Sequence, residues 1–299
     1  MPIIIDEKKS VLVQGITGQD GRASTKLMKA SGTNVVVGCT PGMGGESVED
    51  IPAYDTVLEA MNYAKSYFDE PVEISVVFGP APLVKDAAIE AIEAGVRTLV
   101  LVPDRVPAPD AMAIHTAAKA NGARFIGPNS LGVLSPGRAM VGVIDARGEN
   151  DRVSIPSGPV GLVSRFGDLA LSHGRALGEI GVGLSTLVHV GSDHEVGLRI
   201  PEVAILFEDD PETKALVVIG EAGGSQEERL AELIRDERVT KPVIACVRGA
   251  DDKTHEGKIR ALRDSGATVV TSPGELAAAT LEVMRNLGIE GTAENTERD

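Results

Sequence analysis

The stretch Ser10-Val11-Leu12-Val13-Gln14-Gly15-Ile16-Thr17-Gly18-Gln19-Asp20-Gly21 decides the fold. A short β-branched run enters a turn with glycines at 15, 18 and 21, and a helical pattern over 23–30 follows. Glycines three apart let the backbone turn sharply and leave amide N–H groups at a helix start, where the dipole favours a phosphate. A strand before and a helix after is the setting in which such a turn is credible as a ligand site. The plain alternative is a tight strand-to-helix connection that binds nothing.

The same alternation continues outward from this turn. Strands are expected at 10–14, 34–37, 74–78, 98–102 and 124–126, with helical periods at 23–30, 56–65, 84–94 and 110–120. Ser31-Gly32, Ala94-Gly95 and Asn121-Gly122 read as helix stops, because glycine tolerates positive φ. Between Gly127 and Gly158 the rhythm pauses in a Pro, Gly, Ser and Asn cluster. It resumes with strands at 160–164, 184–190, 215–219, 242–247 and 268–270, and helices at 169–177, 201–207, 226–235, 256–264 and 275–285. Continuous apolar strands between helices predict an α/β fold of two doubly wound parallel-sheet domains. The first would span residues 1–126 and the second 127–287, with an acidic flexible tail at 288–299.

Composition narrows the partners. The chain has 299 residues, 29 Lys and Arg against 44 Asp and Glu, and a net charge of −15, which disfavours nucleic acid and anionic membranes. With five Phe, three Tyr and no Trp, the core must rest on aliphatic side chains. Cys39 and Cys246 are too few for a disulfide framework. No apolar run reaches the ~20 residues of a membrane helix, and Pro2-Ile3-Ile4-Ile5 meets Asp6 at once, so the expectation is a cytoplasmic protein.

An NAD site wants an acid about 20 residues on, at the end of the second strand. Here that strand ends Val37-Gly38-Cys39-Thr40-Pro41-Gly42, with no Asp, Glu or Arg between Ser31 and Gly45. Two further loops, Thr40-Pro41-Gly42-Met43-Gly44-Gly45 and Gly79-Pro80-Ala81-Pro82, also end strands. Small side chains and backbone amides at three strand ends suit a long, phosphate-bearing ligand other than NAD.

These residues resemble one family: the α subunit of succinyl-CoA synthetase and related NDP-forming acyl-CoA ligases. The matching segments are QGITGQDG at 14–21, TPGMGG at 40–45, PAPLVKDA at 80–87, GPNSLGVLSPG at 127–137, GLVSRFGDL at 161–169 and IGEAGGSQEE at 219–228. They lie in the family's order and cover most of the chain to about residue 247. The resemblance implies a Rossmann-like CoA-binding domain followed by a flavodoxin-like ligase domain. It also implies an ATP-grasp β subunit as partner, which would hold ATP or GTP with Mg, and a small carboxylic acid as substrate.

By that resemblance Gly15, Thr17, Gly18, Gln19, Asp20 and Gly21 would line the CoA phosphates, with Met43 and Pro80 beside them. Val102, Pro103 and Asp104 would lie nearer the far end of CoA. The family usually has Lys where Met43 stands, so a charge-assisted contact is gone. Ser164, Arg165 and Gly167 match a phosphate-holding helix start whose usual hydroxyl residues are replaced by Phe166 and Asp168. An acid at 168 would cap the helix but repel a phosphate. Glu221, framed by Gly223 and Gly224, matches the carboxylate that orients a phosphohistidine. Asn129 joins these as a substrate or phosphate contact.

The phosphohistidine itself is the departure. The family carries it in a Gly-His-Ala-Gly loop, whereas this chain runs Val247-Arg248-Gly249-Ala250-Asp251-Asp252-Lys253-Thr254-His255, a loop shorter by about a dozen residues. His255 either replaces the missing group or is a solvated helix-start residue. His194, in Gly191-Ser192-Asp193-His194, could take phosphate or meet a carboxylate. His115 reads as surface, and His173 and His189 as structural. No spacing suits a metal site and no nucleophilic triad is visible. Two readings stay open beside a minor NAD-dependent one: a carboxylate–CoA ligase α subunit, active only with its β subunit, or a CoA-binding regulatory module that has lost the relay.

Overall fold

The computed structural model describes residues 3–68, 71–145, 154–249 and 253–289. The chain divides into two compact units. The N-terminal unit is Ile4–Asp145 with His189–Leu198; the C-terminal unit is Met1–Ile3, Ala146–Val188 and Arg199–Asp299. The expected break at residue 126 therefore falls inside the first unit.

In the N-terminal unit the order is β1 (Ser10–Gln14), α1 (Gln19–Ala30), β2 (Asn34–Cys39), β3 (Ser47–Val48), β4 (Ile51–Tyr54), α2 (Val57–Phe68) and β5 (Ile74–Val77). There follow α3 (Ala81–Ala94), β6 (Thr98–Leu101), α4 (Ala108–Asn121), β7 (Arg124–Ile126), β8 (Gly132–Ser135) and β9 (Ala139–Gly142). Strands β1, β5 and β6 are buried at every position, because helices cover both faces of a parallel sheet. The sheet order is β3-β4-β2-β1-β5-β6-β7, all parallel apart from the β3–β4 hairpin. Setting β3 aside leaves a Rossmann order that reverses between β1 and β5, the switch point where such sheets bind ligands. Gln14 pairs with both Cys39 and Val77, so the loops after β1, β2 and β5 open side by side.

Two hairpins escaped the sequence reading. Strands β3 and β4 are two and four residues long, and Pro52 sits in the second; short runs with proline do not read as strands. Strands β8 and β9 explain the shifted boundary. Ser24 hydrogen-bonds the Gly142 carbonyl, and the Thr33 hydroxyl both donates to Met140 O (2.6 Å) and accepts from Met140 N (2.9 Å). These contacts tie the 132–142 hairpin to α1 and to the turn after it.

The C-terminal unit runs β10 (Ser157–Ser164), α5 (Gly167–Glu179), β11 (Leu184–His189), α6 (Ile200–Asp209), β12 (Ala215–Glu221) and α7 (Gln226–Arg235). It ends with β13 (Val243–Arg248), α8 (Lys253–Asp264), β14 (Thr268–Val270), a 3-10 turn at Pro273–Glu275 and α9 (Leu276–Asn286). Its strand order β14-β13-β12-β10-β11 is flavodoxin-like and reverses between β10 and β12. Both cores are aliphatic, as the scarcity of aromatics requires; Leu12, Val37, Leu99 and Phe125 centre the first. No helix among the described residues is long and apolar enough to cross a membrane. The expected tail beyond residue 289 lies outside the described residues.

Candidate functional site

The glycine turn after β1 is built by close approach. Gly15 has φ +75°, and a Cβ there would stand 2.6 Å from the Phe78 carbonyl oxygen; a Cβ on Gly21 would overlap the Gly15 carbonyl. Gly18 is the N-cap of α1 and no side chain caps that helix. The first-turn amides, with the positive end of the dipole, therefore face the space above the sheet. That space is a cleft of about 790 Å³ whose walls include Gly15, Thr17, Gly18, Gln19, Asp20, Gly21, Met43 and Pro80. A second hollow of about 520 Å³ is lined by Val102, Pro103 and Asp104 and shares Asp20 and Pro80 with the first. All eleven residues expected to line CoA thus border one or other of these two adjoining hollows, a trough at the sheet end.

Side chains fix its rim. Arg22 donates to Thr17 O (2.8 Å) and to Glu46 (3.1 Å), joining the loops after β1 and β2. Asp55 accepts from Gly44 N (2.9 Å) and holds the glycine loop against β4. Where an NAD site would carry its acid, the Thr40 hydroxyl takes a long contact from Thr17 N (3.4 Å). Cys39 is buried in the wall of the cleft; burial, with Glu90, Asp55 and Glu59 nearby, pushes its thiol up to about 12. It stays protonated and is no nucleophile.

The sequence reading missed Asp193. Its carboxylate accepts from Arg105 N (3.3 Å), Val106 N (3.0 Å) and Asn129 Nδ2 (3.0 Å), all within the N-terminal unit. Asn129 in turn donates its backbone N–H to Pro103 O (2.7 Å). Asp193 and Asn129 together set the Val102–Arg105 segment, the far wall of the trough. No local pattern marks Asp193, because its three donors lie 64 to 88 positions away along the chain. His194 is exposed. His115 corrects an expectation: it is half-buried, with Nε2 on Val196 O (3.0 Å) and its ring edge-on to Phe125 at 4.7 Å. His173 and His189 are structural, bound to Pro273 O (2.6 Å) and to Leu131 N (2.8 Å).

In the C-terminal unit the loops after β10 and β12 meet at the second switch point. Ser164 ends β10, Arg165 follows it and Gly167 opens α5, while Glu221 ends β12 just before Gly223 and Gly224. Arg165 is only 3% exposed and binds Glu221 Oε1 through Nε (2.9 Å) and Nη2 (2.7 Å). The Ser164 hydroxyl is engaged locally, donating to Phe166 O (2.8 Å) and accepting from Phe166 N (2.9 Å). Phe166, not Asp168, is the N-cap of α5, and no side chain caps it. Beneath this loop Glu227 accepts from Glu221 N (2.9 Å), and Lys258 donates to Gly224 O (2.9 Å), Glu227 (2.7 Å) and Glu228 (2.6 Å). Lys258 and Glu227 are both fully buried.

His255 stands one strand over, in the first turn of α8, with Nε2 at 2.9 Å from Val247 O. Ala250, Asp251 and Asp252 of the shortened loop lie outside the described residues. Among the described residues no cluster of three His, Cys, Asp or Glu side chains could hold a metal ion.

Comparison with known proteins matches residues 6–104 to the family described as CoA binding domain and 163–283 to that described as CoA-ligase. Subunit alpha 2 of the ADP-forming succinate–CoA ligase of Archaeoglobus fulgidus is 38% identical over 301 residues, 95% of this chain and 100% of that one. The malate–CoA ligase subunit alpha of Methylorubrum extorquens is 36% identical over 293 residues, 97% of this chain and 93% of that one. An ATP citrate lyase from Methanothrix soehngenii, solved with citrate and coenzyme A, shares the fold at a TM-score of 0.83 and 19% identity. That match covers 99% of this chain and 53% of the other.

Proposed function

Since the chain belongs to the α-subunit family of NDP-forming CoA ligases, we propose that it is the CoA-holding half of a two-subunit carboxylate–CoA ligase. The overall chemistry joins a carboxylic acid to CoA in two transfers. A nucleoside triphosphate gives its terminal phosphoryl group to the acid, and the CoA thiolate then displaces phosphate from the acyl phosphate. The observation that carries the reading is the trough at the first switch point. The uncapped start of α1 and the glycines at 15, 18 and 21 would take the phosphates of CoA. The Val102–Asp104 segment, held by Asp193 and Asn129, would guide the pantetheine arm.

The nucleotide with its Mg and the acid would sit on the β subunit, an ATP-grasp protein by the family resemblance, in the cytoplasm. The Ser164–Gly167 and Glu221–Gly224 loops would present the phosphate-facing end of the C-terminal unit to it. Glu221 is turned to Arg165, and the His255 ring is held by the Val247 carbonyl. Both contacts favour phosphoryl transfer straight to the acid, without a phosphohistidine on this chain. The test is reconstitution with an ATP-grasp β subunit, ATP, Mg, CoA and a panel of small dicarboxylates. The expected result is thioester formation with no acid-labile label from γ-labelled ATP on this chain. Label that His255→Asn removes would establish the relay. Saturable CoA binding without thioester from any acid would instead favour the regulatory module.

A further inference from the structure

We propose that the cleft between α8 and the ends of β13 and β14 binds a phosphate-bearing anion through Arg248, Arg260 and Arg263. The hollow has a volume of about 620 Å³, within the range of small-molecule sites. One wall is the end of β13, where Arg248 is the last strand residue. The other is a face of α8 on which His255, Ile259 and Arg263 follow at four-residue steps, as do Glu256, Arg260 and Asp264. Thr271, just past β14, closes the far side with a hydroxyl.

Its charge runs against that of the chain. Among the described residues that line it are three arginines and two acids, Glu256 and Asp264, in a protein with a net charge of −15. Several arginines elsewhere pair with acids: Arg22 holds Glu46, Arg165 holds Glu221 and Arg229 holds Glu232. Among the described residues, Arg248, Arg260 and Arg263 take part in none of the side-chain hydrogen bonds or ion pairs, although acids line the same hollow. Three arginines lining one hollow without carboxylate partners suit an anion with several charged oxygens, which their planar forks can grip in pairs of hydrogen bonds. Ile259 supplies an apolar floor of the kind a nucleoside would use. The two sources of such phosphate are an inorganic anion and a nucleotide.

The experiment is calorimetric titration of the full chain with inorganic pyrophosphate and, separately, ADP, each at fixed ionic strength and in the presence of saturating CoA, which occupies the other trough. Saturable binding is expected, weakened about tenfold by Arg260→Gln and by Arg263→Gln, for loss of one charge-assisted contact each. Arg229→Gln, which removes a charge on a different helix, should leave it unchanged. Equal affinity for the two probes would assign inorganic phosphate, and tighter ADP binding would assign a nucleotide. No saturation with either probe, or saturation indifferent to the Arg260→Gln/Arg263→Gln pair, overturns the site. CoA affinity in the same variants reads the proposed function separately, because the glycine turn is untouched.

Discussion

Replacing Lys258 by Met should destabilise the C-terminal unit strongly. Lys258 and Glu227 are both 0% exposed and 2.7 Å apart. Removing the ammonium strands the Glu227 carboxylate, which costs about 3–5 kcal/mol when a buried pair loses one partner. For a unit of this size about 2–4 °C accompanies each kcal/mol, so the midpoint of thermal unfolding should fall by about 6–20 °C. The double variant Lys258→Met/Glu227→Gln should regain at least half of that, since a Gln amide oxygen still accepts from Glu221 N and carries no charge. Burial pushes the Lys258 ammonium down, but its hydrogen bonds to Glu227 and Glu228 carry it above its ordinary value of 10.5. A cation held above its ordinary value contributes stability that is complete below that value and is lost as pH rises through the folded one. The gap between wild type and Lys258→Met should therefore be full near neutrality and close at strongly alkaline pH. Circular dichroism melts across pH read all three quantities. A single-variant shift under about 3 °C at neutral pH, or a double variant no better than the single, would refute the reasoning.

Other outcomes are as definite. Gly21→Ala places a methyl on the Gly15 carbonyl, and such overpacking costs about 1–3 kcal/mol; calorimetry should show CoA binding lost or weakened at least tenfold while the C-terminal unit melts as before. Met43→Lys, at a half-exposed position in the cleft, adds a cation where a phosphate is expected and should tighten CoA by about three- to tenfold, an effect erased by high salt. For Glu208, burial works upward, but hydrogen bonds from the Thr240 hydroxyl and from the Lys241 and Thr240 amides hold the carboxyl below its ordinary 4.5. The stability it contributes is present above 4.5 and lost as pH falls through the lower folded value. Acid unfolding followed by fluorescence of a bound dye should be flatter in Glu208→Gln below that pH, and an unchanged acid limb would contradict the assignment.

Much of the fold was legible because the sequence and the physics agree at short range. Strands 34–39 and 215–221 are built on the aliphatic runs Val35–Val37 and Ala215–Ile219, and the stops at Gly95 and Gly122 are left-handed C-caps in the structure. What escaped was long-range or short in length. The β8–β9 hairpin is held by hydrogen bonds between residues more than a hundred positions apart, and no local pattern announces such pairing. The trough was readable because glycine spacing is a local backbone requirement. Asp193 was not, because its value lies in three donors brought to it from residues 105, 106 and 129. His115 was misread for the same reason, its partner Val196 being 81 positions away.

The two switch points place different demands on their chemistry. In the N-terminal unit the groups at the glycine turn are backbone amides, which need no protonation to meet a phosphate. In the C-terminal unit a relay would need a carboxylate oriented toward an imidazole, and that function cannot tolerate a competing cation. Arg165 is such a cation: nearly fully buried, with two donors on one oxygen of Glu221. Prying the carboxylate loose would leave a buried guanidinium short of its partner, at a cost of several kcal/mol. The pair is thus a poor ring-orienting device and a good fixed dipole, able to hold the Ser164–Gly167 and Glu221–Gly224 loops together at the end of the sheet. Under the proposed function, such a chain would hold CoA at the glycine turn and leave the phosphoryl chemistry to the β subunit. Arg165→Met should free Glu221 and loosen this end of the sheet rather than restore a relay.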